Sequence, residues 1–142
     1  MKILIVNTND IFGGASRGAY TLHRGLIKLG IDSKMIVKNK TSNDNTVFSV
    51  ESRFRKKIID KIAAKHEEYI IKKYKNSVNQ ISIAKYSSFQ IVKFINSFNA
   101  DIVNLQWIND RFLKIEDIAK INAPIVWTMR DMWPFSSGYH YD

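Results

Sequence analysis

Cysteine is absent from the 142 residues, so a disulfide scaffold, a cysteine zinc site and thiol catalysis are all excluded. With only 2 Pro and 6 Gly, the chain is neither collagen-like nor a low-complexity linker. No apolar run approaches the roughly 18 residues that a membrane-spanning helix needs. The apolar stretch at 3–6 gives way to Asn7, too short for a secretory core, so the expected address is cytoplasmic. The Asn39-Lys40-Thr41 sequon then carries no meaning. Acid is scarce as well: 13 Asp and Glu face 22 Lys and Arg, a net charge of +9. What is present is 45% hydrophobic and 12% aromatic residues, in a length suited to one domain. Such a domain removes roughly 68% of its unfolded surface from water, enough for a real core.

Residues 2–8 (KILIVNT) form a nearly continuous apolar run, which predicts a strand buried on both faces. Gly13-Gly14 follows. Ala15, Ala19, Leu22, Leu26 and Leu29 then recur at steps of four and three, predicting a helix with Ser16 as N-cap and Gly30 as its stop. Residues 33–37 read as a second strand. Strand, helix and strand make a βαβ unit, hence an α/β fold with a parallel sheet. A polar loop is expected at 39–45, and a long helix at 53–75 with Phe54, Ile58, Ile62, Tyr69 and Ile70 along its inner side. Further along come a brief strand at 81–84, a helix at 87–98, a strand at 101–105, a short helix at 116–121 and a strand at 124–129.

Three segments carry chemistry. In a doubly wound sheet, ligands bind beyond the carboxyl ends of the strands. The Gly13-Gly14 turn opens a helix there, where backbone N–H groups and the helix dipole attract an anion; the other reading is a turn that only needs glycine dihedrals. The dinucleotide fingerprint is incomplete, since Ala15 occupies its middle glycine and Lys38 ends the second strand where an acid would hold a ribose. Met129-Arg130-Asp131-Met132-Trp133 follows a strand end. A cation, a carboxylate and an aromatic ring at that edge suit a sugar or a phosphate, or else form a surface pair beside a core Trp. The 53–75 helix holds nine Lys or Arg against three acids, an excess of six out of the chain's nine. It suits an anionic membrane or nucleic acid, or is a solvated outer face.

Histidines offer less. His66-Glu67-Glu68 begins like a zincin helix, but Ile70 stands where the second His belongs. His23 reads as a core-edge residue. No nucleophile, base and orienting acid can be assembled from spacing, and no metal site is expected.

Taken together, Val6-Asn7-Thr8, the run from Gly13 to Leu26, Asp101-Ile102-Val103-Asn104-Leu105-Gln106-Trp107, and Trp127-Thr128-Met129-Arg130-Asp131-Met132-Trp133-Pro134-Phe135 resemble bacterial family 4 (group 1) retaining glycosyltransferases. The resemblance covers both ends of the chain and little of 39–86. It implies the GT-B architecture, two Rossmann-like domains across a cleft, with residues 1–142 as the N-terminal, acceptor-side domain. The C-terminal domain that grips the nucleotide-sugar donor is expected to be absent from this chain, which alone should not transfer sugar. Gly13, Gly14 and Ala15 would approach the donor diphosphate. Arg130-Asp131 matches the family's His-Asp catalytic edge, with Arg130 able to bind a hydroxyl or a phosphate. Asn104, Gln106, Trp107, Trp133 and His140 would face the saccharide acceptor. The implied role is surface-polysaccharide synthesis on a lipid-linked acceptor, without metal or other cofactor. Arg53, Arg55, Lys56, Lys57, Lys61 and Lys65 would rest on the anionic inner face of the plasma membrane. Two alternatives stand beside it: a nucleotide- or dinucleotide-binding module, and a basic nucleic-acid-binding domain. The second fits less well, since Phe54, Ile58 and Ile62 look committed to packing.

Overall fold

A computed structural model describes residues 1–50, 55–73, 82–88, 90–136 and 139–140, with the backbone only at 55–60 and 73. Elements run β1 (Lys2–Asn9), α1 (Gly14–Lys28), β2 (Asp32–Asn39), β3 (Val47–Ser49), α2 (Arg55–Lys73), α3 (Ile91–Ser97), β4 (Ile102–Leu105), α4 (Ile115–Ile118) and β5 (Ile125–Trp127). All strands are parallel, in the order β3-β2-β1-β4-β5. The fold is α/β and Rossmann-like. Successive connections from β1 run outward to one side and then to the other, so the switch point lies between β1 and β4.

The alternation of β1 divides the core. Ile3 and Ile5 join Ala19, Met35, Val37 and Val47 beneath α1. Leu4 and Val6 join Ile36, Val103, Leu105, Ile91, Ile95 and the 108–121 segment on the other face. A strand buried on both faces is therefore apolar at both parities, and its burial matches.

The start of α1 departs from expectation. Its N-cap is Gly13, with φ 88° and ψ 164° and no side-chain cap; Ser16 lies inside the helix and is buried. That backbone region is open to glycine almost exclusively. Gly30 does stop the helix. At φ 75° it donates to Ile27 O (2.9 Å) while Ile31 donates to Leu26 O (3.0 Å), the Schellman pattern. The buried stripe is Ser16, Ala19 and His23; of the predicted residues Ala19 is buried and Leu26 packs against the core, while Leu22 and Leu29 are exposed. His23 can face inward because Ser33 and Thr46 hydroxyls meet both its ring nitrogens at 2.8 Å.

Other boundaries also shift. Two carboxylates organise the polar loop, Asp10 from the turn after β1 and Asp44 from within it. Buried Asp10 accepts from Thr41 N, Thr41 Oγ1 and Ser42 N at 2.7–2.9 Å. Burial by itself would raise the Asp10 carboxyl, but those bonds outweigh it and lower its pKa to about 2. Asp44 binds Thr46 and Tyr20 and pairs with Arg24. The loop so fixed turns the chain directly into β3, a strand too short to show a pattern. Residues 82–84 are irregular instead of a strand, and Ile81 lies outside the described residues. The second amphipathic helix begins at Ile91 instead of 87, because Gln90 is left-handed and Ser87 and Ser88 bond to the 111–117 segment. In α2, Ile62 and Tyr69 face solvent, not the core, and Ala63 is buried. Phe54 lies outside the described residues, as does the side chain of Ile58.

Candidate functional site at the switch point

Parallel strands bring every carboxyl end to one rim, and cross-links at the switch point tie it together. Thr8 N donates to Trp107 O (2.8 Å), Trp107 N donates to Asn7 Oδ1 (2.8 Å), and Asn7 Nδ2 donates to Ser16 Oγ (3.0 Å). The turn after β1, the segment after β4 and the start of α1 are thus one unit. Ser16, expected as a cap, instead anchors α1 to β1.

The glycine turn is open. A Cβ at Gly13 or Gly14 would meet nothing within 4 Å. The first intrahelical bond is Arg17 N to Gly13 O, no side chain caps the helix, and its first turn holds no acid. The amides of Gly14, Ala15 and Ser16 therefore lack intrahelical acceptors, as in any uncapped first turn.

A chain of amides holds the cation. Asn104 pairs with Ile5 across the sheet, so its side chain lies on the α1 face. Its Nδ2 donates to Val126 O and Thr128 Oγ1 (3.1 Å each), and Gln106 Nε2 donates to its Oδ1. Gln106 Oε1 in turn accepts from Arg130 Nε (2.7 Å). The Arg130 guanidinium lies over Gly18 of α1, close to the glycine turn. Asn104 and Gln106 are buried, so they position Arg130 rather than line an opening.

Asp131 is fully engaged. Its Oδ2 accepts from Trp107 Nε1 (2.9 Å) and His140 Nδ1, and its Oδ1 from Trp133 N (3.1 Å). His140, 5% exposed, stacks beside Trp107 with ring centroids 5.9 Å apart. Its Nε2 meets Ser82 Oγ at 2.8 Å. Trp133 is 7% exposed and donates from Nε1 to Ser82 O (2.7 Å), so its ring packs in the core instead of offering a face to a sugar. Trp107 is half-buried and lines a cavity of about 350 Å³ together with Ser82, Ile83, Ala84, Ile71 and Arg111. Spacing alone missed Ser82. It sits 58 residues from His140, in a segment with no periodic signal.

Lys38, where a dinucleotide fold would place a ribose-binding acid, is buried and donates to Asp110 O, with Asp110 Oδ2 at 3.3 Å. On α2, Lys61, Lys65 and Lys72 are exposed, and Lys72 pairs with Glu68 (2.7 Å). Arg55, Lys56 and Lys57 fall within α2, while Arg53 lies outside the described residues. Among the described residues no cluster of three His, Asp or Glu is arranged to hold a metal, and no helix is long and apolar enough to cross a membrane.

These features define an α/β domain whose polar side chains converge at the carboxyl ends of its strands. No family model, curated protein or solved structure matches the chain.

Proposed function

We propose that this chain is the acceptor-side domain of a retaining glycosyltransferase, moving a sugar from a nucleotide-sugar donor to a lipid-linked saccharide acceptor in surface-polysaccharide synthesis. One observation carries the reading: the uncapped Gly13-Gly14 turn and the Arg130 guanidinium share the rim at the sheet's switch point. Free amides at a helix N-terminus together with a held cation make an anion site suited to a diphosphate. Ile11, Phe12, Met129, Met132 and Phe135 are exposed around that rim, which supports an apposed second lobe.

The chemistry asked of this half is electrostatic. Retaining transfer stabilises a departing diphosphate and an oxocarbenium-like sugar. Gly14, Ala15 and Arg130 would contribute to the first. The remaining donor contacts belong, by the resemblance, to a second domain, so residues 1–142 assayed by themselves should bind diphosphate weakly and transfer no sugar. Titration of the isotope-labelled chain with uridine or guanosine diphosphate should shift the amide signals of residues 13–17 and the Arg130 side chain. Equal or larger shifts with nicotinamide dinucleotides would favour the dinucleotide module, against which buried Lys38 argues. Sugar turnover by this chain would overturn the half-site reading.

The reading includes a peripheral seat on an anionic membrane. Arg55, Lys56 and Lys57 fall within α2, the helix that also carries Lys61, Lys65 and Lys72, and cations along one helix suit an anionic surface. Ile62 and Tyr69 stand exposed beside Lys61, Lys65 and Lys72, as on an interfacial helix.

A further inference from the structure

Ser82, His140 and Asp131 come from three separate places in the sequence and meet in a chain of hydrogen bonds beside a cavity. Asp131 already receives Trp107 Nε1 and Trp133 N, so its carboxylate is fixed as an acceptor facing His140 Nδ1. That fixes the tautomer: the Nδ1 proton lies toward Asp131, and the Nε2 lone pair faces the Ser82 hydroxyl at 2.8 Å. The order is nucleophile, base and orienting acid, each within reach of the next.

Two further observations complete the requirements. Ser82, Ile83 and Ala84 line the 350 Å³ cavity, which is large enough for a small ligand. Among the described residues, the backbone N–H groups of Ile83 and Ala84 donate to no acceptor. Amides directly after a nucleophile are a common source of oxyanion donors. Ala84 also holds φ 40°, a left-handed conformation uncommon for alanine, of the kind that gathers at functional sites.

We propose that Ser82, His140 and Asp131 form a nucleophilic relay that hydrolyses short acyl esters bound in this cavity. Ser82 Oγ attacks the ester carbonyl carbon while its proton passes to His140 Nε2. The carbonyl oxygen becomes an oxyanion beside the Ile83 and Ala84 amides. The C–O bond to the alcohol then breaks, the alcohol leaves with the proton from His140, and an acyl-Ser82 ester remains. Water attacks that ester, His140 takes the water's proton and returns it to Ser82, and a carboxylic acid is released. Ester and water become acid and alcohol, with no other reactant. Apolar Ile71, Ile83 and Ala84 suit the acyl group, and Trp107 suits the alcohol side. This activity goes beyond sugar transfer and does not depend on it.

The test uses the unsubstituted 142-residue chain with diisopropyl fluorophosphate, followed by peptide mass spectrometry, and with p-nitrophenyl acetate. One adduct is expected on Ser82, forming at least 100-fold faster than on Ser97 of α3. His140→Gln should slow labelling by about 100-fold or more, and Ser82→Ala should abolish both the adduct and p-nitrophenolate release. Circular dichroism of each variant checks its fold. If a variant is unfolded, the site of labelling in the unsubstituted chain and its rate relative to Ser97 decide. No adduct on Ser82, labelling no faster than at Ser97, or a rate insensitive to His140→Gln in a folded variant overturns the relay.

Discussion

The Arg130 guanidinium rests on the bare backbone of Gly18: a Cβ at residue 18 would stand 2.8 Å from Nη1 and 3.0 Å from Cζ. The absence of one methyl group on α1 thus sets where the rim's cation sits. Gly18→Ala should therefore separate folding from binding. The helix gains roughly 0.5–1 kcal/mol from replacing a mid-helix glycine, offset by moving the end of a flexible side chain. Thermal melting should shift little, while uridine diphosphate binding weakens several-fold. Unchanged binding would show that the placement of Arg130 is unimportant to the anion.

The two glycines of the turn should behave differently. Gly13→Ala forces alanine into an essentially glycine-only conformation, at a cost of about 1–3 kcal/mol. Gly14→Ala meets open space and no special dihedral, so its stability should hold or rise by about 0.4–1 kcal/mol. Under the diphosphate proposal, Gly14→Ala still weakens nucleotide binding because its methyl group occupies the approach. Urea denaturation and calorimetry on the pair check both halves.

His23 makes stability depend on pH. Burial lowers its pKa below the ordinary 6.5, with nearby Arg24 and Lys34 adding to the shift and Asp44 opposing it. The neutral ring is the folded form, so its contribution is whole above about 6.5 and is lost as pH falls toward the lowered folded value. Urea midpoints should drop between pH 7.5 and 5.5, and His23→Gln should flatten that slope. An equal slope in the variant would remove His23 as the cause.

The α2 surface should bind anionic vesicles and release them with salt. Each lysine near such a surface contributes about 1 kcal/mol, so Lys61→Glu with Lys65→Glu should weaken sedimentation with phosphatidylserine vesicles by more than tenfold. Ile62→Ser should weaken it without altering the salt dependence. Binding that ignores salt, or survives the double charge reversal, would remove the membrane seat.

Much of the scaffold was legible because long periods leave long signals. Residues 2–8 are apolar at both parities, so a doubly covered parallel strand followed. Gly30 marked the end of α1 because no other residue sits easily at its dihedral. The misses were places where distant partners override local preference. Ser16 resembles a cap, but Asn7 draws it inward. His23 joins the buried stripe, which its residue type did not suggest, because two hydroxyls from β2 and the loop before β3 satisfy it. At the rim, the sequence pointed to Arg130, Asp131 and His140, and the fold sets Asn104 and Gln106 behind Arg130 as its supports. Ser82 was invisible, since only the tertiary fold sets it against His140.

The three tryptophans at 107, 127 and 133 all gather where the strands end. Trp107 lies against His140, and Trp127 stands 6.3 Å from Trp133. Tryptophan emission from this chain, excited selectively over its tyrosines, thus originates entirely at that end of the molecule. A ligand docking there would change the brightness or colour of the light with no label attached, while events at the far end of the sheet would stay dark.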